Sequence, residues 1–148
     1  MATTLQPTTA TITQTITLTV AGVERNISFT QTILLVKDYD ARVVDVPTSE
    51  VDLITLTAAA VGKGQLPSFN HFTIINRDDT NFVRLRLRQA GGDTVDFRLD
   101  AGDWMNFWNN KIEVHTAAGA FTAFVDWDTI AVQADTADVQ LEYIALQV

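Results

Sequence analysis

The sequence contains no cysteine, few charged residues and no long hydrophobic run. Without cysteine the chain cannot form a disulfide, bind a metal through thiolates or use a thiol as a nucleophile. Charged residues make up 19% of the chain, below the roughly 25% of an average globular protein. The longest hydrophobic stretches, such as 33–36 and 57–61, are far shorter than the roughly 20 residues that cross a bilayer. We therefore expect no disulfide, no thiolate site and no membrane-spanning segment.

The charge that is present is mostly acidic. Eighteen Asp and Glu stand against 10 Lys and Arg, a formal net charge of −8. A general nucleic-acid binder holds the phosphate backbone with clustered Lys and Arg, so direct nucleic-acid binding is not expected. Residues 1–7 lack the basic start and the apolar segment of a signal peptide, which predicts synthesis in a cytoplasm.

Side chains that carry catalysis are scarce as well. The two histidines, His71 and His115, have no partner at a metal-binding spacing. No serine lies in a Gly-x-Ser-x-Gly elbow. The segment 62–64, Gly-Lys-Gly, lacks the further glycine and the Lys-Ser/Thr ending of a phosphate loop. We expect no enzyme, no cofactor and no metal.

Two acidic pairs have a second interpretation. Asp78-Asp79 and the pair at 126 and 128 could bind a hard cation or act as a glycosidase carboxylate pair. However, Asn and Asp side chains commonly cap turns, and 76–81 is typical of an Asx-rich loop between strands. We interpret the pairs as turn residues.

The pattern that recurs most often in the sequence is alternation of apolar and polar residues, which is typical of a strand with one buried face. It predicts strands at 11–20, 26–36, 41–46, 51–57, 71–76, 82–88, 94–99, 103–108, 121–125, 129–133 and 138–146. No window of 12 or more residues has helical periodicity. The prediction is an all-β fold, a single antiparallel β-sandwich of the jelly-roll kind.

The domain organisation follows from the same pattern. Residues 1–9 are predicted to form a flexible N-terminal arm, and 10–148 a single β-sandwich domain. The strands at 26–36 and 41–46 are predicted to pair as a hairpin across the turn at 37–40.

A second hairpin, within 82–100, can be predicted at residue level. Gly92 supplies the positive φ of its turn, and placing Gln89 opposite Asp93 sets the register. Leu87 then faces Val95, Leu85 faces Phe97 and Val83 faces Leu99. On the other face Arg86 lies opposite Asp96 and Arg84 opposite Arg98.

The arginines of this hairpin form the one concentrated basic surface of the chain: Arg84, Arg86, Arg88 and Arg98. In one interpretation they are a solvated sheet face, neutralised by acids of the same domain. In the other they contact an acidic patch of a neighbouring subunit, drawn from Asp126, Asp128, Asp135, Asp138 and Glu142. They are therefore candidate interface residues.

Aromatic residues concentrate in the last third of the chain. Trp104, Trp108 and Trp127 are predicted to pack in the core or at the edge of the sandwich. Because Trp also anchors interfaces, Trp104 and Trp108 join the candidate interface residues.

A series of motifs carries a family resemblance. FTIINRDD at 72–79 leads to FVRL at 82–85 and a Gly-Gly turn, RLDAGDW follows at 98–104, and IAVQAD at 130–135 precedes VQLEY at 139–143. This order, over about 45–146, resembles small virion structural proteins of tailed bacteriophages. Ala101 and Asp103 stand where that group is expected to have Pro and Glu.

The resemblance implies a jelly-roll-like sandwich used in many copies per virion. The expected role is a non-enzymatic capsid decoration or cement-type protein, with a head-fibre base or a neck or tail component as alternatives. The expected partners are other copies of the chain, as a homo-oligomer, and other virion proteins such as the major capsid protein. No nucleic acid or membrane partner is expected, and the location is the virion after synthesis in the host cytoplasm.

Two functions of other classes remain open. A carbohydrate- or receptor-binding sandwich would gather aromatics and carboxylates in one exposed groove, and burial of Trp104, Trp108 and Trp127 would count against it. A small hydrolase or isomerase would need a pocket that unites His71 or His115 with paired carboxylates.

Overall fold

The computed structural model describes residues 8–56, 66–89, 92–112 and 124–148. These residues form antiparallel β-strands and no helix, which confirms the all-β prediction. The strands are β1 (Thr8–Val20), β2 (Val23–Val36), β3 (Asp38–Val46), β4 (Val51–Thr55), β5 (His71–Asn76), β6 (Val83–Gln89), β7 (Thr94–Leu99), β8 (Trp104–Phe107), β9 (Lys111–Ile112), β10 (Val125–Ala134) and β11 (Val139–Gln147).

The chain divides into two compact units. The first comprises the residues up to Lys37 together with Val148, and the second runs from Asp38 to Gln147. The predicted arm at 1–9 overlaps β1, which begins at Thr8, and its residues 1–7 lie outside the described part of the chain.

The first unit is a long hairpin of β1 and β2. Its turn consists of Ala21 and Gly22, with φ of 51° and 79°, and Val20 pairs with Val23 across it. Two positive φ angles in a two-residue loop are typical of a type I′ turn, whose twist matches that of the flanking strands. The predicted hairpin of 26–36 with 41–46 is therefore wrong, because β2 pairs with β1 and β3 pairs with β11.

The second unit contains two sheets. One has the strand order β3-β11-β5-β8, and the other has the order β4-β10-β6-β7 with β9 paired to β10. Alternate residues of both sheets enter one hydrophobic core, in which Phe72, Ile74 and Leu141 of the first sheet join Leu85 and Ile130 of the second. The unit is thus sandwich-like, with one face of each sheet turned to the core and the other face turned outward.

The hairpin of β6 and β7 has the predicted register. Val83 pairs with Leu99, Leu85 with Phe97 and Leu87 with Val95. Gly92 has a φ of 107°, and the Gln89 N–H donates to the carbonyl oxygen of Asp93 at 3.0 Å. Apolar pairing on one face decided this register, since a slip of one residue would put an aspartate into the core.

Other strand predictions differ in their bounds. The predicted strands at 121–125 and 129–133 correspond to the single strand β10, which begins at Val125, while 121–123 lie outside the described residues.

Candidate interaction surfaces

The predicted arginine face lies on the outer side of the sheet β4-β10-β6-β7. Because Val83, Leu85 and Leu87 point into the core, the intervening arginines of β6 point outward. A carboxylate oxygen of Glu50 lies 2.6 Å from Nη2 of Arg84 and 2.9 Å from Nη1 of Arg86.

Arg86 also binds Asp96, its cross-strand neighbour. Nε of Arg86 lies 2.7 Å from Oδ1 of Asp96, and Nη2 donates to Oδ2 at 2.8 Å. This two-point hydrogen bond holds the pKa of Asp96 below its usual range and raises the pKa of Arg86. The predicted pairing of Arg86 with Asp96 is confirmed.

The remaining two arginines are paired as well. Arg88 binds Asp52, and Nε of Arg98 lies 2.6 Å from Oδ1 of Asp100. The guanidinium of Arg98 also stacks over the ring of Phe82, 4.0 Å from its centroid.

The arginine face is therefore a network that is balanced in charge. Glu50 and Asp52, which lie about 35 positions before the arginines, could not be assigned to them from sequence, because the pairing depends on β10 lying between β4 and β6. The contact of this face with a neighbouring subunit stays a prediction. Of the acids proposed to meet it there, Asp126 binds Lys111 and Glu142 binds Arg77 within the chain.

The tryptophans lie in different environments. Trp127 is 1% exposed and packs against Phe69 and Phe107 in the core. Trp108 is half-buried and packs on the ring of His71, with centroids 4.6 Å apart. Trp104 is 49% exposed. The core prediction thus holds for Trp127, and Trp104 remains accessible to a partner.

Trp104 belongs to an apolar strip on the outer face of the sheet β3-β11-β5-β8. The register aligns Val43, Glu142, Ile75 and Trp104 in one row across the four strands. Val43 in this row is 57% exposed, and on the same face of the sheet Tyr39 and Ile144 are 68% and 38% exposed. A shallow groove passes between Ala41, Val43, Thr73 and Ile144.

The sequence analysis did not predict this strip. The alternation in β3 indicates it, because Tyr39 and Val43 occupy the positions between the inward-facing residues, which include Val44 and Val46. A strand with one wet face should carry polar residues at those positions.

His71 lies on the same sheet and is 2% exposed. Its Nε2 lies 2.7 Å from Oγ1 of Thr73, whose hydroxyl donates to Oδ1 of Asn106 at 2.7 Å. Since the Thr73 hydrogen is used for Asn106, Nε2 carries the imidazole hydrogen and donates. Burial lowers the pKa of His71. Within the described part of the chain, the hydrogen-bond and aromatic contacts of this ring include no carboxylate. His115 lies outside that part.

The acidic pair at Asp78-Asp79 lies in a turn, as predicted. Oδ1 of Asp78 accepts from the backbone N–H of Thr80 at 2.8 Å and of Asn81 at 2.6 Å. These bonds, that from Asn81 most of all, hold the pKa of Asp78 below its usual range. In the parts of the chain that the structure describes, no three His, Asp or Glu side chains lie together as a metal site would require. No helix long and apolar enough to cross a bilayer occurs there either.

The hairpin of the first unit exposes a further apolar surface. Most large hydrophobic side chains on β1 and β2 are about half exposed or more, among them Leu18 at 56% and Ile27 at 64%, whereas Ile33 and Val36 are buried. The prediction of strands here was correct, but the sequence suggested a buried apolar side.

Comparison of the chain with protein-family models, with curated proteins and with solved structures finds no match.

Proposed function

We propose that the chain is a non-enzymatic structural component of a tailed-phage virion, of the capsid decoration or cement type, which acts through contacts between protein subunits. The observation that carries the proposal is the exposed apolar strip on the outer face of the sheet β3-β11-β5-β8. Trp and Tyr anchor protein interfaces, and here Trp104 and Tyr39 stand exposed beside Val43 and Ile144.

The strip has the composition of an interface core. Contiguous exposed apolar surface is uncommon on proteins that act alone and marks binding sites. Glu142, which lies in the row between Val43 and Ile75, is paired with Arg77 at 2.8 Å from Nε.

We further propose that the second unit is a jelly roll. Leaving out the two-residue β9, its described residues form eight strands from β3 to β11. One sheet takes them in the order first, eighth, third, sixth, and the other in the order second, seventh, fourth, fifth. Consecutive strands thus alternate between sheets except at the β6–β7 hairpin. This order supports an eight-stranded double-sheet roll, the fold implied by the resemblance to phage proteins.

The proposal is tested by measuring whether the chain is present in purified virions. Purified virions from an infected host should contain it in many copies, detected by mass spectrometry, and electron microscopy of the particles should place it on the head rather than on the neck or tail. Absence from virions would contradict the proposal.

A matched pair of variants tests the strip. Val43→Lys places a charge in the apolar row and should abolish incorporation into particles. Thr55→Lys places the same charge at an exposed β-branched position of the other sheet, and it should incorporate like the unmodified chain. Equal incorporation of both variants would show that the strip is not the contact.

A further inference from the structure

The β1–β2 hairpin has two unlike faces. In its register, odd-numbered residues of β1 lie opposite even-numbered residues of β2, and this face is polar. Thr13 and Thr30 approach to 3.2 Å between hydroxyl oxygens, and Thr15 and Ser28 to 3.1 Å. These cross-strand hydroxyl pairs form a face suited to water.

The other face is mostly apolar. We call it the hairpin strip, and its exposed large members are Ile16, Leu18, Val20, Val23, Ile27 and Phe29. Gln14 and Gln31 also lie on this face, and Ile33 near its end is buried. At its middle Ile16 lies directly opposite Ile27, and the two are 51% and 64% exposed. Its one charge is Arg25, opposite Leu18 near the turn. The strip therefore runs almost the whole length of the hairpin without an acidic residue.

An apolar face of this kind is expected to pack against another apolar surface. A two-stranded hairpin is at best marginally stable in water, and stability comes from further strands or from packing of its apolar face. Among the strands that the structure describes, β1 and β2 pair only with each other and form a sheet of two strands.

We propose that the cover is the same hairpin strip of a second copy of this chain, packed face to face across a two-fold axis. The inference rests on the proposed function in one respect, that the protein works by contacts between subunits. A largely neutral, aliphatic surface is complementary to itself, as a two-fold interface requires. When the two hairpins are antiparallel, the two Arg25 side chains lie at opposite ends of the contact, so the two cations are far apart.

The size of the strip is compatible with this contact. Thirteen residues of β1 at about 3.3 Å each give a length of about 43 Å. With a width of about 10 Å for two strands and their side chains, the face covers about 400 Å² in plan on each copy. The accessible area, which follows the relief of the side chains, is larger. Two such faces cover about 800 Å² in plan, which is the size of a weak or transient interface, the class below about 1,200 Å².

The first test is the mass of the full-length chain in solution, measured by light scattering and sedimentation over a range of concentrations. The unmodified chain should associate. Ile16→Lys puts a charge in the middle of the strip and should weaken association at least about tenfold. Thr17→Lys puts the same charge on the next residue, on the polar face, and should change association by less than about twofold.

The second test does not depend on a disruptive substitution. Since the chain has no cysteine, single-cysteine variants report one position each. Ile27→Cys should be cross-linked between copies by a bis-maleimide that spans about 10 Å, the distance between packed sheets. Ser28→Cys, the neighbouring residue on the polar face, should not.

The outcomes separate the possibilities. A monomeric unmodified chain, association that Ile16→Lys leaves intact, or equal cross-linking of both cysteine variants would each overturn the hairpin contact. If Ile16→Lys instead abolished binding to lipid vesicles or to another virion protein while the chain stayed monomeric, the cover would be that partner, and the proposal would be overturned too. Incorporation into virions is scored separately, so the hairpin contact can fail while the structural role stands.

Discussion

His71 shows how one buried side chain can make the stability of the fold depend on pH. It donates through Nε2 to Thr73 and is packed on Trp108, while its Nδ1 has no hydrogen-bond partner among the described residues. Burial disfavours the charged imidazolium and lowers the pKa from its ordinary 6.5. The folded protein therefore binds this proton less readily than the unfolded chain.

We expect this histidine to contribute an acid sensitivity. Its neutral form is compatible with the fold above pH 6.5, and stability should fall as the pH is lowered from there towards the lower pKa of the folded state, because the unfolded chain then binds more protons. Urea unfolding at about pH 7.5 and about pH 5 measures the loss. In His71→Gln, which stays neutral, the difference between the two pH values should be smaller. An unchanged difference would contradict the assignment.

At the scale of single residues, the sequence predicts contacts that form within one hairpin or one turn. Arg86 and Asp96 were paired correctly because a short turn and an apolar face fix their register. Glu50, which binds both Arg84 and Arg86, was not found, because its position depends on strand pairings between distant segments. Local alternation does not specify such pairings.

The two hairpins show what decides a prediction at the scale of elements. In β6–β7 a glycine turn stands between two stretches with matching alternation, and the prediction was correct. At the start of the chain Ala21-Gly22 also stands between two alternating stretches. The hairpin turn was nevertheless predicted at Lys37 to Asp40. That segment is not a hairpin turn, since β3 begins at Asp38.

The turn of the first hairpin leads to a second prediction. Ala21 holds a φ of 51°, a left-handed conformation that costs an L-residue roughly 1–2 kcal/mol. Asparagine tolerates this conformation, and Asn-Gly is the preferred type I′ pair. Ala21→Asn should therefore stabilise the hairpin by about 0.5–1 kcal/mol.

Amide hydrogen exchange in β1 and β2 measures this effect, which should appear as slower exchange there and not in β6. Gly22→Ala is the control that should destabilise the hairpin and speed exchange, since it forces a residue with a side chain to adopt a φ of 79°. Exchange in β1 and β2 that is unchanged by both substitutions would show that the turn does not limit the stability of the hairpin.

For the molecule as a whole, the all-β class was predictable but the division into units was not. Alternation indicates that strands have a buried side, yet the hairpin strip has the same alternation and remains exposed. The sequence pattern does not say whether an apolar face is covered by the same chain. The strand order of the two sheets likewise depends on pairings such as β3 with β11, which are separated by most of the chain.

The division predicts that the second unit folds without the first. Every described member of its core cluster lies between Val46 and Ala145, so a chain that begins at Asp38 keeps all of them. We expect its thermal unfolding midpoint to stay close to that of the full chain under conditions where both are monomeric. The fluorescence emission of its tryptophans should show that Trp127 is buried.

Leu85→Ala in the shortened chain serves as the control, since removal of this fully buried side chain should lower the free energy of unfolding by about 2–5 kcal/mol. If the shortened chain were unfolded, the hairpin would be part of the folding unit. If it folds and has lost the self-association of the full chain, folding and assembly are carried by different segments of the sequence.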